Sequence, residues 1–306
     1  MVEERSPDGR PRTGGAQPLV SIGVPAYNAA RYLDEVLTGL RRQTVDDLEI
    51  VVCDNASTDA TEEICRDHAS TDPRVRYVRN PGNLGLAENF NRTFAMSRGR
   101  HFRWNMADDP SEPDLLAQCV AVLESEPDVV LAVPGWDLVD ADGKPARLDE
   151  RGAVPLPVWP RDRYDRLRAV SEYVTGPHSI GVLAYLSGLV RSEAMWATGR
   201  LGSYPRSDRV LLTQLAALGG FRELPDVTQH IRIHDDSAGS GIGARDYARV
   251  WPTFHPGRPL PRTLLPWRAK VHFAQARALA AGAGTPARAV RLWTGYVRSN
   301  PRQLLQ

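Results

Sequence analysis

The stretch LVSIGVPAYNAARYLDEVLTGLRRQTVDDLEIVV, Leu19 to Val52, decides the fold. LVSIGV, Leu19 to Val24, is a continuous apolar, β-branched run of the kind that forms a strand buried on both faces. Pro25 ends its pairing. From Ala30 to Arg42 the apolar Leu33, Val36, Leu37 and Leu40 recur at three- and four-residue spacing, which predicts a helix with one buried face. LEIVV, Leu48 to Val52, is a second buried strand. Two buried strands joined through a helix run parallel, because a parallel pair needs a crossover connection.

Outward from this unit the alternation continues. Asp59 precedes a helix to about His68, with Glu62 placed to complete a capping box. VRYV (Val75 to Val78) is a strand, Leu84 to Ser97 a helix, HFRWNM (His101 to Met106) a strand, Glu112 to Ser125 a helix and Val129 to Val133 a strand. The expected class is α/β, with a mainly parallel sheet flanked by helices and ligands at the carboxyl ends of the strands. From Pro134 the rhythm changes: a hairpin at Asp142-Gly143, the Pro-rich connection VPLPVWP, a helix from Asp162 to Val174, another from Ser207 to Leu218, and strands around Phe221 and from Val227 to Ile233. The organisation read from this is a disordered tail (1–17), a ligand-binding half (18–135), a second half of the same domain (136–244) and a basic C-terminal extension (245–306) ending in two amphipathic helices.

With 306 residues, 42% hydrophobic and 25% charged, the chain is an ordinary globular protein, which excludes wholesale disorder. A formal charge of +1 provides no global field for nucleic acid, so no nucleic-acid partner is expected. The charge is split, however: from Arg245 onward eleven Lys and Arg stand against one acid, Asp246. Among them lie Trp251, Phe254, Trp267, Phe273 and Trp293. The favoured reading is a helix pair packed by its aromatic residues onto the domain; the alternative is binding to an anionic membrane surface. Three cysteines without CxxC spacing suggest neither a disulfide framework nor a zinc site. No signal core and no apolar run of membrane-spanning length is present, so a cytoplasmic protein is expected, with peripheral attachment to the membrane as the alternative. The arginine-rich, lysine-poor composition points to a GC-rich bacterial source.

Chemistry concentrates at predicted strand ends. Asp108 and Asp109 directly follow a strand; adjacent carboxylates repel unless a cation or donor neutralises them, and their hard oxygens suit Mg²⁺ or Mn²⁺ held together with a diphosphate. Local sequence equally allows Asp109-Pro110 to open a turn and cap the next helix. In CDNASTD, Asp54 is placed to accept the imide N–H of uracil or thymine. Tyr27, after the first strand, can stack on a base, though such a tyrosine also packs core edges. The literal DxD at Asp140-Ala141-Asp142 runs into Gly143 and reads as turn chemistry. The GxGxG in Ser237 to Gly243 follows no first strand, and a mobile lid is the better reading.

Taken in order, VPAYNAARYLDEVLTGLRRQT, EIVVCDNASTD, NLGLAENFN and RWNMADDP with PDLL resemble the family 2 glycosyltransferases, inverting enzymes of the GT-A (Rossmann-like) fold, over roughly Val20 to Ser240. The resemblance implies a transferase of carbohydrate biosynthesis that moves a sugar from a nucleotide-sugar donor to an acceptor hydroxyl on a glycan, a lipid-linked saccharide or a small metabolite. Pro25, Ala26 and Tyr27 match the family's first nucleotide-binding segment, Asp54 its base-reading carboxylate, which favours UDP or dTDP, and Asn83 and Gly85 its donor-side NxG loop. Asp108 matches the residue that meets the ribose and Asp109 the one that holds the divalent cation. Met106 stands where many members have an acid. Ser207-Asp208 occupies the place of the family's Glu-Asp pair, making Asp208 the general base, with Glu193 and Asp226 as fallbacks; capping of the helix is the structural alternative. Arg232 and His234, in HIRIHDDSAG, match a segment that reaches the diphosphate or the metal. Two competing readings are a non-catalytic carbohydrate- or lipid-binding scaffold and a sugar nucleotidyltransferase; the second would need a Gly-rich triphosphate loop where PAYNAARYL has no glycine.

Overall fold

The computed structural model describes residues 17–146, 159–175, 179–234, 247–259 and 267–299. The expected tail, apart from Gln17, most of VPLPVWP, and the Ser237–Gly243 lid lie outside them.

The first half alternates as its apolar pattern requires: β1 (Val20–Ala26), α1 (Leu33–Arg41), β2 (Leu48–Asp54), α2 (Thr61–Thr71), β3 (Val75–Arg79), α3 (Leu86–Met96), β4 (His101–Trp104), α4 (Leu115–Ser125) and β5 (Val129–Val139). There follow α5 (Arg163–Thr175), α6 (Ser179–Leu186), β6 (Leu189–Arg191), α7 (Ser192–Trp196), α8 (Ser207–Leu218), β7 (Gly220–Arg232), α9 (Tyr247–Phe254), α10 (Trp267–Ala283) and α11 (Pro286–Ser299). All described strands form one sheet in the order β3-β2-β1-β4-β6-β5-β7. β1 pairs in parallel with β2 and β4, β2 with β3, and β5 with β7; β6 alone of these runs antiparallel, between β4 and β5. Three residues between two helices show no alternation, which is why β6 is invisible to periodicity.

The two strand segments expected near Phe221 and Val227 are one strand, β7, whose register against β5 slips between Pro134 and Gly135. Pro225, at the slip, has no N–H to give the ladder. A Cβ on Gly135 would sit 2.7 Å from the Pro225 carbonyl oxygen, so only glycine allows this approach. The hairpin at Asp142-Gly143 is present: Asp140 Oδ1 accepts from the Asp142 and Lys144 amides, and Gly143 takes φ 78°. The literal DxD is thus turn chemistry.

Both faces of the sheet are covered. Val20, Ile22, Val24, Ile50 and Val52 pack with the apolar stripes of α1 and α4. On the other face Phe102, Trp104, Leu131 and Val133 pack with Phe94 of α3 and with Leu211, Leu212 and Leu215 of α8. Gly23 lets α3 touch β1, since a Cβ there would lie 2.6 Å from Thr93 Oγ1 and 2.8 Å from the Phe102 ring. The C-terminal helices extend this second core with Leu279, Ala283, Leu292 and Tyr296. Trp251, Phe254 and Trp293 pack inward, whereas Phe273 is 66% exposed. Contrary to expectation α10 has no polar face, because its exposed stripe mixes Lys270 and Arg277 with Phe273, Ala280 and Ala281. No described helix is long and apolar enough to cross a membrane. Cys53, Cys65 and Cys119 are free and buried.

One carboxyl sits inside the second core. Glu223 is half-buried where Trp159, Tyr185 and Phe221 meet edge to face; Trp159 Nε1 donates to its Oε1 at 2.9 Å, and Tyr185 bonds the same oxygen. Burial pushes this carboxyl up to about 7.

Two outcomes are expected. Gly23→Ala should lower stability by about 1–3 kcal/mol in urea unfolding, through overpacking of Thr93 and Phe102. Glu223 binds its proton more tightly when folded, so its contribution to stability is greatest below the ordinary carboxylate value, declines as pH rises from there to about 7, and is flat above. Glu223→Gln should therefore remove a fall in Tm between pH 4.5 and about 7; an unchanged Tm-against-pH curve would refute this.

Candidate functional site

The parallel strands β1, β2 and β4 end on one edge, and the loops there hold most of the residues singled out from sequence. Tyr27, just past β1, is 51% exposed, whereas Ala26 is fully buried and Pro25 is partly covered. Of that trio only Tyr27 offers a large accessible side chain. The chain then turns through Asn28 at φ 49°, a conformation side chains rarely adopt. The loop after β2 holds it there. Ser57 Oγ accepts from the Asn28 amide (2.9 Å), Thr61 Oγ1 from Ala29 (2.8 Å) and Asp59 Oδ2 from Ala30 (3.0 Å), while Asn28 Oδ1 accepts from the Thr58 amide (2.9 Å). Asp59 thus links the loops and also caps α2, its Oδ1 accepting from the Thr61 amide at 3.1 Å, but the expected capping box is not completed, because Glu62 turns away to Arg66 and Arg79.

Asp54 corrects an expectation. It is completely buried, with Oδ1 accepting from the Ser57 amide at 2.8 Å and Oδ2 from Tyr77 Oη at 2.8 Å and Arg79 Nη1 at 2.5 Å. A carboxylate engaged in this way orders the Ser57–Asp59 turn and presents no oxygen to a base. Beside it runs a chain of amides that the sequence reading missed apart from Asn83. Asn55 Nδ2 donates to Asn83 Oδ1 (2.8 Å), Asn80 Nδ2 to Asn55 Oδ1 (3.0 Å) and to Asn89 Oδ1 (2.9 Å), and Asn89 Nδ2 to the Cys53 carbonyl (3.0 Å). Asn83 Oδ1 also accepts from the Gly85 amide, so Asn83 spends its side chain shaping its own loop. Gly85, at φ 90°, opens α3, and a Cβ there would lie 2.5 Å from the Phe254 carbonyl oxygen. The asparagines of NPGNLGLAENFN were the available signal.

Asp108 and Asp109 follow β4 in a turn pinned by Asn105, whose Nδ2 donates to the carbonyls of Met106 and Asp109 at 2.9 Å each. The end of β7 closes on this turn. The Arg232 amide donates to Asp109 Oδ1 (2.8 Å), Arg232 Nε to the Asp108 carbonyl (2.9 Å), and His234 Nε2 meets Asp108 Oδ2 (2.9 Å). Asp109 is 5% exposed, and burial followed by the Asp108 charge raises its pKa. The Asp108 side chain, at 30% exposed, is the outward member of the pair. Arg232 departs from its expected role: its side chain is 2% exposed, paired with Glu35 Oε2 at 2.7 Å and set 4.5 Å from the Tyr32 ring centre. It braces the site and does not face a ligand.

No group of three or more His, Cys, Asp or Glu among the described residues could hold a metal by itself. Asp108 and His234, with the second oxygen of Asp109 behind, nevertheless supply hard oxygen and imidazole donors in one place. That partial set fits Mg²⁺ or Mn²⁺, which use one or two carboxylates and complete their shell with substrate phosphates and water.

Asp208 stands in the first turn of α8. Because α8 leads through Gly219 directly into β7, it runs back along the sheet, and its N-terminus lies toward the carboxyl edge. The preceding loop is fixed to α3, with Leu201 exchanging two bonds with Asn91 and Ser203 Oγ donating to Glu88 Oε1 at 3.3 Å. Burial raises the Asp208 pKa, and Arg209 and Arg206 oppose the rise. Arg206, at the N-cap position, makes no side-chain cap, and the Asp208 carboxyl is met by the first-turn amides of Asp208 and Arg209. The fallback Glu193 is excluded by topology. It follows β6, whose end pairs with the start of β4, so it lies at the opposite edge of the sheet. Asp226 is exposed at the bulge of edge strand β7.

The comparisons agree with this architecture. The Staphylococcus aureus TarS fragment crystallised with UDP-GlcNAc superposes with a TM-score of 0.60 at 13% identity, over 92% of this chain and 72% of that one. The mannosyltransferase PcManGT of Pyrobaculum calidifontis, in complex with GDP-Man and Mn²⁺, gives 0.53 at 22% identity, over 99% and 88%. These likenesses establish a GT-A fold. In sequence, the abequosyltransferase RfbV of Salmonella typhimurium is 33% identical over 187 residues, 58% of this chain and 54% of that protein. The Escherichia coli chondroitin synthase is 37% identical over 103 residues, 34% of this chain and 15% of the other. The match thus spans about half of the first relative and a small part of the second. The model of glycosyl transferase family 2 matches residues 21–187, more than half of the chain, and the protein belongs to that family.

Proposed function

We propose that the protein transfers one sugar from a nucleoside diphosphate donor to an acceptor hydroxyl, with inversion and with help from a divalent cation. The observation that carries this reading is the Asp108–His234–Asp109 group at the carboxyl edge, beside the exposed Tyr27. Such an edge is where an open α/β sheet binds its ligand. The named ligands of the two structural neighbours, UDP-GlcNAc and GDP-Man, support a donor of this class. The preference for uracil or thymine rested on Asp54, whose oxygens are already engaged, so no base is favoured.

In this reading Tyr27 stacks on the base; Asp108, expected at the ribose, would instead hold the cation with His234, because Asp109, expected on the cation, is buried behind it and reinforces them. When bound, the cation stabilises the negative charge of the departing diphosphate. Arg232 keeps both carboxylates in place through its amide and guanidinium. Asp208 takes the proton of the acceptor hydroxyl as that oxygen attacks from the face opposite the leaving group. Its raised pKa, which burial causes, makes it the stronger base. No covalent enzyme intermediate is needed. The basic C-terminal helices bury Leu279, Ala283, Leu292 and Tyr296 in the second core, which favours a packing role over membrane attachment.

Four measurements test this. In a thermal-shift screen of UDP, dTDP, GDP and CDP with and without Mn²⁺, one nucleotide should raise Tm with metal present; no shift with any of them favours the non-catalytic scaffold. Asp208→Asn should lower transfer about 10²–10⁴-fold while leaving nucleotide affinity unchanged. The wild-type rate should also fall in acid with a midpoint above the ordinary carboxylate value, since the base must be ionised. Asp54→Asn should lower stability by about 1–3 kcal/mol, because it weakens the hydrogen bonds of a buried carboxylate to Ser57, Tyr77 and Arg79, and should weaken all nucleotides alike. A change confined to UDP would restore Asp54 as a base reader.

A further inference from the structure

Behind the acid pair lies a cation that the mechanism does not use. Arg103 of β4 is 1% exposed, yet its guanidinium is poorly satisfied. Nη2 makes two long contacts, to Asn105 Oδ1 at 3.2 Å and Ser111 Oγ at 3.3 Å, and those two acceptors also bond each other at 2.9 Å. Nε and Nη1 are buried with no hydrogen-bond partner among the described residues. Gln229, fully buried on β7 and bridged through its backbone to Ser111, likewise has both side-chain amide atoms without a partner. Unpaired N–H groups of a buried charge are expensive, and an apolar side chain of similar volume would serve packing better. The arginine must therefore do something that its charge alone can do.

What that charge acts on is the carboxylate turn. Asn105, which Arg103 touches, pins the Met106 and Asp109 carbonyls, and the guanidinium charge opposes the rise in the Asp109 pKa. With Arg232, two buried guanidinium groups stand against Asp108, Asp109 and Glu35. Met106 meanwhile stands where an additional acid would have strengthened the site's pull on cations. The site of the free protein is therefore close to balanced. A donor diphosphate would tip it strongly negative, because Coulomb attraction in a partly buried site is weakly screened.

We propose that Arg103 is a charge-setting and positioning residue: it keeps the affinity of the free protein for divalent cations low, so that the cation enters together with the donor's diphosphate. This rests on the metal-assisted reading above.

The test is Mn²⁺ binding to the full chain, followed by electron paramagnetic resonance, alone and with UDP or GDP, against nucleotide-only controls. Wild type should bind Mn²⁺ weakly alone and at least tenfold more tightly with one of the nucleotides. Arg103→Met should bind Mn²⁺ alone at least fivefold more tightly than wild type, and Arg103→Lys, which keeps the charge, should match wild type. Should Arg103→Met fail to fold, Arg103→Gln removes the charge while keeping a donor toward Asn105 and Ser111. Neutral variants within twofold of wild type, or Met and Lys variants shifted equally, would overturn the charge-setting role while the wild-type nucleotide effect stood. Absence of any nucleotide effect in wild type would instead remove the metal-assisted reading, and this proposal with it.

Discussion

Two neighbouring carboxylates cannot share a strand end unless something positive meets them, and here that partner arrives from more than a hundred residues away. The last residue of β7, Arg232, gives its amide to Asp109 and its Nε–H to the Asp108 carbonyl, while Nη2 reaches Glu35 on α1. Three elements far apart in the chain are joined at one side chain. Packing against the Tyr32 ring adds a cation–π contact and removes the guanidinium from water, which strengthens each of its bonds. The long β7, with its slip at Pro225, is what delivers Arg232 to that position.

The opposite side of the site obeys the same logic with neutral groups. The loop after β1 must turn sharply at Asn28 to expose Tyr27, and Ala56 in the loop after β2 also takes a positive φ. Such conformations persist only where neighbours over-determine them. Asp54, Ser57, Asp59 and Thr61 provide that excess of bonds, and the Asn55–Asn80–Asn83–Asn89 chain extends it to the start of α3. The consequence is a preorganised edge in which few side chains face outward. Tyr27 and Asp108 are presented, His234 lies mostly covered between Asp108 and Tyr32, and most of the others hold them.

This division between presenting and holding residues explains where sequence reasoning went astray. The residue types at Asp54 and Arg232 are those of ligand contacts, and nothing local distinguishes a carboxylate that meets a base from one saturated by Tyr77 and Arg79. The capping box was misread for a similar reason: Asp59 does accept from the Thr61 amide, but Glu62, which should have closed the box, is drawn to Arg66 and Arg79. Glu193 seemed a fair second base until β6 proved antiparallel and carried it to the far edge. The Arg103–Gln229 pocket had no sequence signal, since a lone arginine in a strand reads as surface charge.

The sequence by itself determined the α/β alternation, the parallel first half, the turn at Asp142-Gly143, and the placement of Tyr27, Asp108 and Asp109 at strand ends. Each of these follows from periodicities and turn preferences that act over a few residues. Tertiary structure alone decided which carboxylates face outward, that β6 runs backward, which stripe of α10 is buried, and that Arg232 and Arg103 lie buried behind the acid pair. Burial and pairing are properties of contacts between distant segments. A side chain's charge is written in its chemistry, whereas what meets that charge is written only in the fold.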